Sequence, residues 1–297
     1  MDKDTLFYKK HTINCGSRLI SIETPIVMGI LNLTPDSFYD GGQINSTKDV
    51  NNKVKKLIDE GAAIIDVGAY STKPGAEDVS VHEEKIRLEP GLNLIRERYP
   101  DTIISVDTFR AETAKWCIEK YKIDIINDIS GGHLDSEIID VAAGFQVPYI
   151  TMHMQGTPKT MQKNPGYKHV VKDVLDYFSE HIAFLRQKGI NDIIIDPGFG
   201  FGKTIEHNYQ LLAGLDVFQM LELPILAGIS RKSMIYRHLN SSPEEALAGT
   251  IALNTIALQK GAQILRVHDV KEAVNTISIY KKLLEESEKS INLLQKL

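Results

Sequence analysis

The chain has 297 residues, 42% apolar and 25% charged, an ordinary globular balance that suits one barrel-sized domain. Its net charge of −5 argues against a broad basic face for nucleic acid, and no run approaches the roughly 18 apolar residues a membrane span needs. Two cysteines, Cys15 and Cys117, match no zinc spacing and read as reduced thiols; the charged N-terminus is followed by no apolar stretch of a secretory signal, so a cytoplasmic location is expected.

Residues 5–24 read as a hairpin turning at Asn14-Cys15-Gly16-Ser17, placed to plug the bottom of a barrel. An apolar run over 25–32 then stops at Asn32, and residues 34–42 hold Pro and a Gly pair and read as a loop. A helix is expected over 46–60, with Val50, Val54, Leu57 and Ile58 on one face and Gly61 ending it. The alternation repeats. Residues 63–68 are a strand, 70–80 a long Pro/Gly loop, and 81–99 a helix bent near Glu89-Pro90-Gly91. Further strands cover 102–107, 123–128, 147–153, 192–198, 224–230 and 262–269. Helices fall at 111–120, 136–143, 168–188, 208–215, around Met234, 244–260 and from 270 to about 296.

These strands are apolar nearly throughout rather than alternating, as parallel strands covered on both faces must be. Eight of them end near polar groups: Asn32, Asp66, Asp107, Asn127, His153, Asp196, Ser230 and Arg266. The α/β pattern predicts a (β/α)8 TIM barrel with an N-terminal β-hairpin, one domain over 1–297, and chemistry at the strand C-termini. A doubly wound sheet is less favoured, because Thr34-Pro35-Asp36 stands where such folds carry a glycine-rich phosphate turn.

The polar strand ends divide by charge. Asp107 and Asp196, with the amide of Asn127, suit the N–H-rich edge of a flat heterocycle, since carboxylates accept paired N–H bonds and an amide offers both donors and an acceptor. Lys232 follows strand seven, and Arg266 and His268 end strand eight, beside the loops that form the common anion site of such barrels. Asn32 could offer one oxygen to Mg2+, which takes few protein ligands and prefers phosphate oxygens. The two long loops suit lids. Lys203 lacks the spacing of a phosphate-loop lysine, and the glycines before it read as a tight path past the mouth, with Phe201 as an apolar wall.

Taken in order, MGILNLTPDSF, STKPGAE, SVDTF, NDISGG, MHMQGTP, DPGFGFGK, GISRKS and RVHDV resemble the dihydropteroate synthase family from about Val27 to Asp269. The resemblance implies a barrel enzyme that condenses 7,8-dihydropterin-6-ylmethyl diphosphate with 4-aminobenzoate, by dissociative C–O cleavage assisted by Mg2+, in a homodimer. It assigns the pterin to Asp107, Asn127, Met152, Asp196, Gly228, Lys232 and Arg266. The diphosphate falls to Asn32, Thr72, Arg266 and His268, and the metal to Asn32. The aminobenzoate side falls to Phe38, Pro74, Phe201, Lys232 and Ser233. Two other readings on the same barrel are a pterin-binding methyltransferase domain and a pterin-binding paralogue without synthesis. The chain departs from the family at Tyr70 and Lys73, where Glu and Arg are usual, and carries Tyr39 after Phe38. Lysine cannot reproduce a bidentate guanidinium contact.

Overall fold

The computed structural model describes residues 12–16, 18–34, 39–40, 43–44, 47–70, 79–157, 161 and 165–294. Phe38, Thr72, Lys73 and Pro74, all expected at or near the site, lie outside the described residues. Strands β1 (Thr12–Cys15) and β2 (Arg18–Ser21) pair antiparallel as the hairpin. The barrel strands are β3 (Ile26–Asn32), β6 (Ile64–Gly68), β7 (Ile103–Asp107), β8 (Ile125–Asp128), β9 (Tyr149–Met152), β10 (Ile193–Asp196), β11 (Leu226–Ala227) and β12 (Ile264–Val267). All pair in parallel, in the order β10-β9-β8-β7-β6-β3-β12-β11, and a parallel bridge from Ile195 to Ile225 brings the two ends together.

Helices α1 (Thr47–Asp59), α2 (Val81–Arg98), α3 (Ala111–Tyr121), α4 (Glu137–Phe145), α5 (Val170–Gln187), α6 (Ile205–Ala213), α7 (Ser233–Tyr236), α8 (Leu247–Gln259) and α9 (Val270–Leu294) lie between or after the strands. Val50, Val54 and Leu57 are the buried stripe of α1, as the spacing requires. Ser80 caps α2, its hydroxyl accepting from the Glu83 N–H. The expected bend does not end α2, which runs through Pro90. Gly91 has a packing reason there: a Cβ would stand 2.6 Å from Leu33 Cδ1.

Three local expectations need correcting. The first long loop contains a minimal antiparallel pair, β4 (Tyr39–Asp40) with β5 (Gln43–Ile44). Helix α6 starts at Ile205 rather than 208, because Thr204 and His207 form a reciprocal capping box, and a 3-10 turn over Leu215–Leu221 follows it. Asp66 lies inside β6 rather than at its end, and Ser230 lies beyond the two-residue β11.

The barrel has two cores. The larger packs strands against helices. The smaller gathers one residue from each barrel strand: Met28, Ile64, Ile103, Ile125, Ile150, Ile194, Leu226 and Ile264. It also takes in Ile13 and Cys15 of the hairpin and Ile22 just after it, so the hairpin does close the barrel floor. Side chains two residues on share a face of a strand. The next inward layer therefore holds Ile30, Asp66, Ser105, Asn127, Met152, Asp196, Gly228 and Arg266, and Asn32 and Asp107 stand above it.

Candidate active site

Strand periodicity alone delivers an acidic and amide layer directly above an aliphatic floor. Arg266 crosses it. Its Nε donates to Asp66 Oδ2 at 2.7 Å, and Nη2 donates to Asp107 Oδ2 at 2.7 Å while lying 2.6 Å from Asp66 Oδ2. Asn127 Nδ2 donates to the same Asp66 oxygen at 3.1 Å. Burial pushes the Asp107 carboxyl up to about 7; the Arg266 charge opposes this, and the Asp66 carboxylate adds to it.

Opposite stands a second charged pair. Asp196 accepts the Gly198 N–H at 2.8 Å, and burial raises its pKa against the pull of Lys232. Lys232 donates to the Phe199 carbonyl, and its ammonium sits 4.6 Å from the centre of the Phe201 ring. Burial lowers Lys232 to about 8, with Asp196 favouring the charged form. A Cβ on Gly228 would stand 3.7 Å from Asp196 Oδ2 and 3.8 Å from Lys232 Nζ, so the glycine leaves this slot open. Met152 is buried beside it, its Cγ 3.2 Å from where a Cβ on Gly198 would be. Asp196 feels Arg266, and Lys232 feels Asp107, so the two pairs belong to one mouth.

The rim is cationic and polar. Asn32 and His268 are both exposed and line a cavity of about 240 Å3 with Lys53 and Lys56 of α1. His268 Nδ1 lies 3.1 Å from Ser230 Oγ. Ser233 begins α7 directly after Lys232. Among the described residues no group of three or more His, Cys, Asp or Glu is placed to hold a metal.

Several supporting residues were given no role at the site from the sequence. Asp66 appeared there only as a strand end. Arg231, at φ +55°, makes a bidentate pair with Asp269 (2.8 Å twice), which ties the Lys232 loop to the segment bearing His268. Asp128 accepts the N–H groups of Ser130 and Gly132 and the hydroxyls of Ser130 and Tyr149, and so shapes the turn after Asn127. Lys203 is buried; its ammonium donates to the carbonyls of Gly198 (2.9 Å), Phe201 (3.1 Å) and His153 (3.3 Å) and lies 3.0 Å from His153 Nδ1. A buried lysine beside three carbonyls is a loop clamp, which the missing phosphate-loop spacing left unassigned. Tyr70 packs edge-on to Phe109, 5.1 Å between centroids, with the Arg110 guanidinium 5.4 Å over its ring. An aromatic contact thus occupies the first of the two positions at which the sequence departs from the pattern it resembles. A larger cavity of about 640 Å3 near the hairpin, lined by Arg18 and Arg96, has those cations already engaged by Asp124 and by backbone carbonyls.

The pterin binding enzyme family matches residues 28–268. The dihydropteroate synthase of Escherichia coli strain K12 is 46% identical over 273 residues, 91% of this chain and 95% of that protein. The structure of Yersinia pestis dihydropteroate synthase with a sulfonamide drug complex superimposes with a TM-score of 0.86 at 40% identity, over 92% of this chain and 99% of the other. That of Xanthomonas albilineans dihydropteroate synthase in complex with 7,8-dihydropteroate gives 0.82 at 34% identity, over 92% and 98%. On strand order, strand-end residues and near full-length similarity alike, the chain belongs to the pterin-binding enzymes and, among them, to the dihydropteroate synthase family.

Proposed function

We propose that this chain is a transferase that joins 7,8-dihydropterin-6-ylmethyl diphosphate to 4-aminobenzoate, forming 7,8-dihydropteroate and diphosphate for folate synthesis. The observation that carries the reading is Arg266, fixed across the mouth between carboxylates that suit an N–H-rich ring and a rim that suits its anion. Asp107, Asn127 and Asp196 read the pterin edges, with Met152 and Gly228 bounding the slot. Arg266 lies against the ring and reaches the diphosphate, which Asn32, Thr72 and His268 also meet. Phe201, Lys232 and Ser233, with Phe38 and Pro74, form the aminobenzoate side. The C–O bond to diphosphate breaks as cationic donors take up the developing charge. The electron-rich dihydropterin stabilises the exocyclic cation, and the arylamine attacks it and gives up one N–H proton to water or the departing diphosphate, so no protein nucleophile is required.

A single exposed amide oxygen at Asn32, with no carboxylate cluster among the described residues, fits Mg2+ held chiefly by substrate oxygens. When bound, the ion would neutralise charge on the leaving diphosphate. The test is diphosphate release from protein, Mg2+ and both substrates, matched by dihydropteroate formed. No release overturns the assignment, and release unaffected by a chelator overturns the metal.

The helices α8 and α9 pack together and leave Ile256 (38%), Ile279 (73%) and Leu283 (58%) exposed, apolar side chains that a second copy would cover. The homodimer this implies should sediment at twice the 33.2 kDa chain mass, and Ile256→Glu with Ile279→Glu should halve it; a monomeric parent refutes the proposal. No helix among the described residues is long and apolar enough to cross a membrane, and the free, buried Cys15 and Cys117 suit a reducing cytoplasm. Cell fractionation checks that location.

A further inference from the structure

The inward layer contains one carboxylate, Asp66, that the sequence marks only as a strand end and that the proposed substrate contacts do not use. Asp66 has no exposed surface. Its Oδ2 alone receives Arg266 Nε, Arg266 Nη2 and Asn127 Nδ2. Its Oδ1 is buried without a hydrogen-bond partner among the described residues, as is the hydroxyl of Ser105, its register partner on β7.

The consequences follow from donor counting. Asn127 has two donors on nitrogen and one acceptor oxygen. With the nitrogen committed to Asp66, the amide cannot flip without placing its own oxygen against a carboxylate. Its carbonyl is therefore fixed in orientation as an acceptor, beside the one N–H that Asp66 leaves unused. Arg266 has five N–H donors in a rigid fork. Asp66 takes the Nε–Nη2 edge, which fixes the guanidinium plane and leaves Nη1 for an anion. Asp107, by contrast, holds only Nη2 and is the partly exposed of the two. A ring presenting N–H groups to Asp107 competes with Arg266 for that carboxylate, and Asp66 is what keeps Arg266 in place when it does.

We propose that Asp66 is a positioning and specificity-determining residue: it orients Asn127 as an acceptor and locks the plane of Arg266, so that the site is preset for a ring edge bearing N–H donors with an anion beside it. This rests on the pterin diphosphate reading above, but one of its readouts does not.

The direct measurement is nitrogen-15 NMR of arginine Nε–H groups in the full-length protein, with the Arg266 signal assigned by its loss in Arg266→Lys. Without ligand, that proton should be a slowly exchanging resonance, retained in Asp107→Asn and lost in Asp66→Asn. In kinetics, Asp66→Asn should lower kcat/KM for the pterin diphosphate by about tenfold or more, the usual scale for a broken buried charge contact, while KM for 4-aminobenzoate stays within about twofold. A merely structural carboxylate would move both constants together. Retention of the Arg266 signal in Asp66→Asn, or a parallel rise in both KM values, overturns the proposal. Should Asp66→Asn not fold, the parent and Asp107→Asn spectra decide: a fast-exchanging Arg266 Nε–H in the parent, or its loss in Asp107→Asn, refutes the assignment. An inactive parent with a protected Arg266 signal would overturn the reaction and leave the positioning intact.

Discussion

A carboxyl group that accepts N–H bonds from a ring must be ionised when the ring arrives, and a lysine that steers an anion or an arylamine ring must be protonated. Burial works against both in this mouth, raising Asp107 to about 7 and lowering Lys232 to about 8. The sign follows directly. Below about 7 Asp107 is neutral and one of its two oxygens becomes a donor, so it can no longer accept a pair of N–H bonds; above about 8 Lys232 loses its charge. The kcat/KM for the pterin substrate should therefore rise through about 7 and fall beyond about 8, and Asp107→Asn should flatten the acid limb of whatever activity remains. An acid limb near the ordinary carboxylate value would show that Asp107 is not the titrating group. Asp66 is the residue-scale feature least legible in the sequence. A carboxylate inside an apolar run looks like the end of a strand, and only the closed barrel shows that it receives donors from β8 and β12.

Among the elements, the buried strands were the most legible, because parallel strands covered on both faces leave unbroken apolar runs. Helix ends were less so: α6 starts on a polar capping box that no apolar periodicity marks. The turn after β10 shows a further limit. Its glycines were read as a tight backbone path, and Gly198 proves the point: at φ +73° a Cβ would come within 2.0 Å of the His153 carbonyl oxygen. The clamp beneath this turn, Lys203, needed the fold to be seen. Lys203→Met removes a buried donor from three carbonyls, and each acceptor left unpaired costs about 1–3 kcal/mol. The turn carries Phe201 and the carbonyl that receives Lys232, so KM for 4-aminobenzoate should rise while binding of a pterin lacking the diphosphate changes little. Equal losses for both ligands, measured by calorimetry, would mean that the turn supports the whole mouth rather than one side of it.

Over the whole molecule, the barrel separates stability from chemistry along its axis. The mouth gathers buried carboxylates and cations, which cost solvation and contribute little net stability even when paired. The opposite end is an aliphatic floor sealed by Ile13, Cys15 and Ile22. The hairpin is tied down at its edge as well: Arg18 pairs with Asp124 at 2.8 Å, and Asp124 also holds Arg96 and the Ile104 N–H. If this division holds, Ile13→Ala should destabilise the protein by about 2–5 kcal/mol through the cavity it leaves, seen as a fall in Tm, with kcat/KM below the transition unchanged within about twofold. The floor residues Ile64, Ile125, Ile194 and Ile264 stand two positions below Asp66, Asn127, Asp196 and Arg266 on the same strands. A loss of activity as large as the loss of stability would therefore show that the floor transmits its packing to the reading layer, and that the two ends of the barrel are mechanically one.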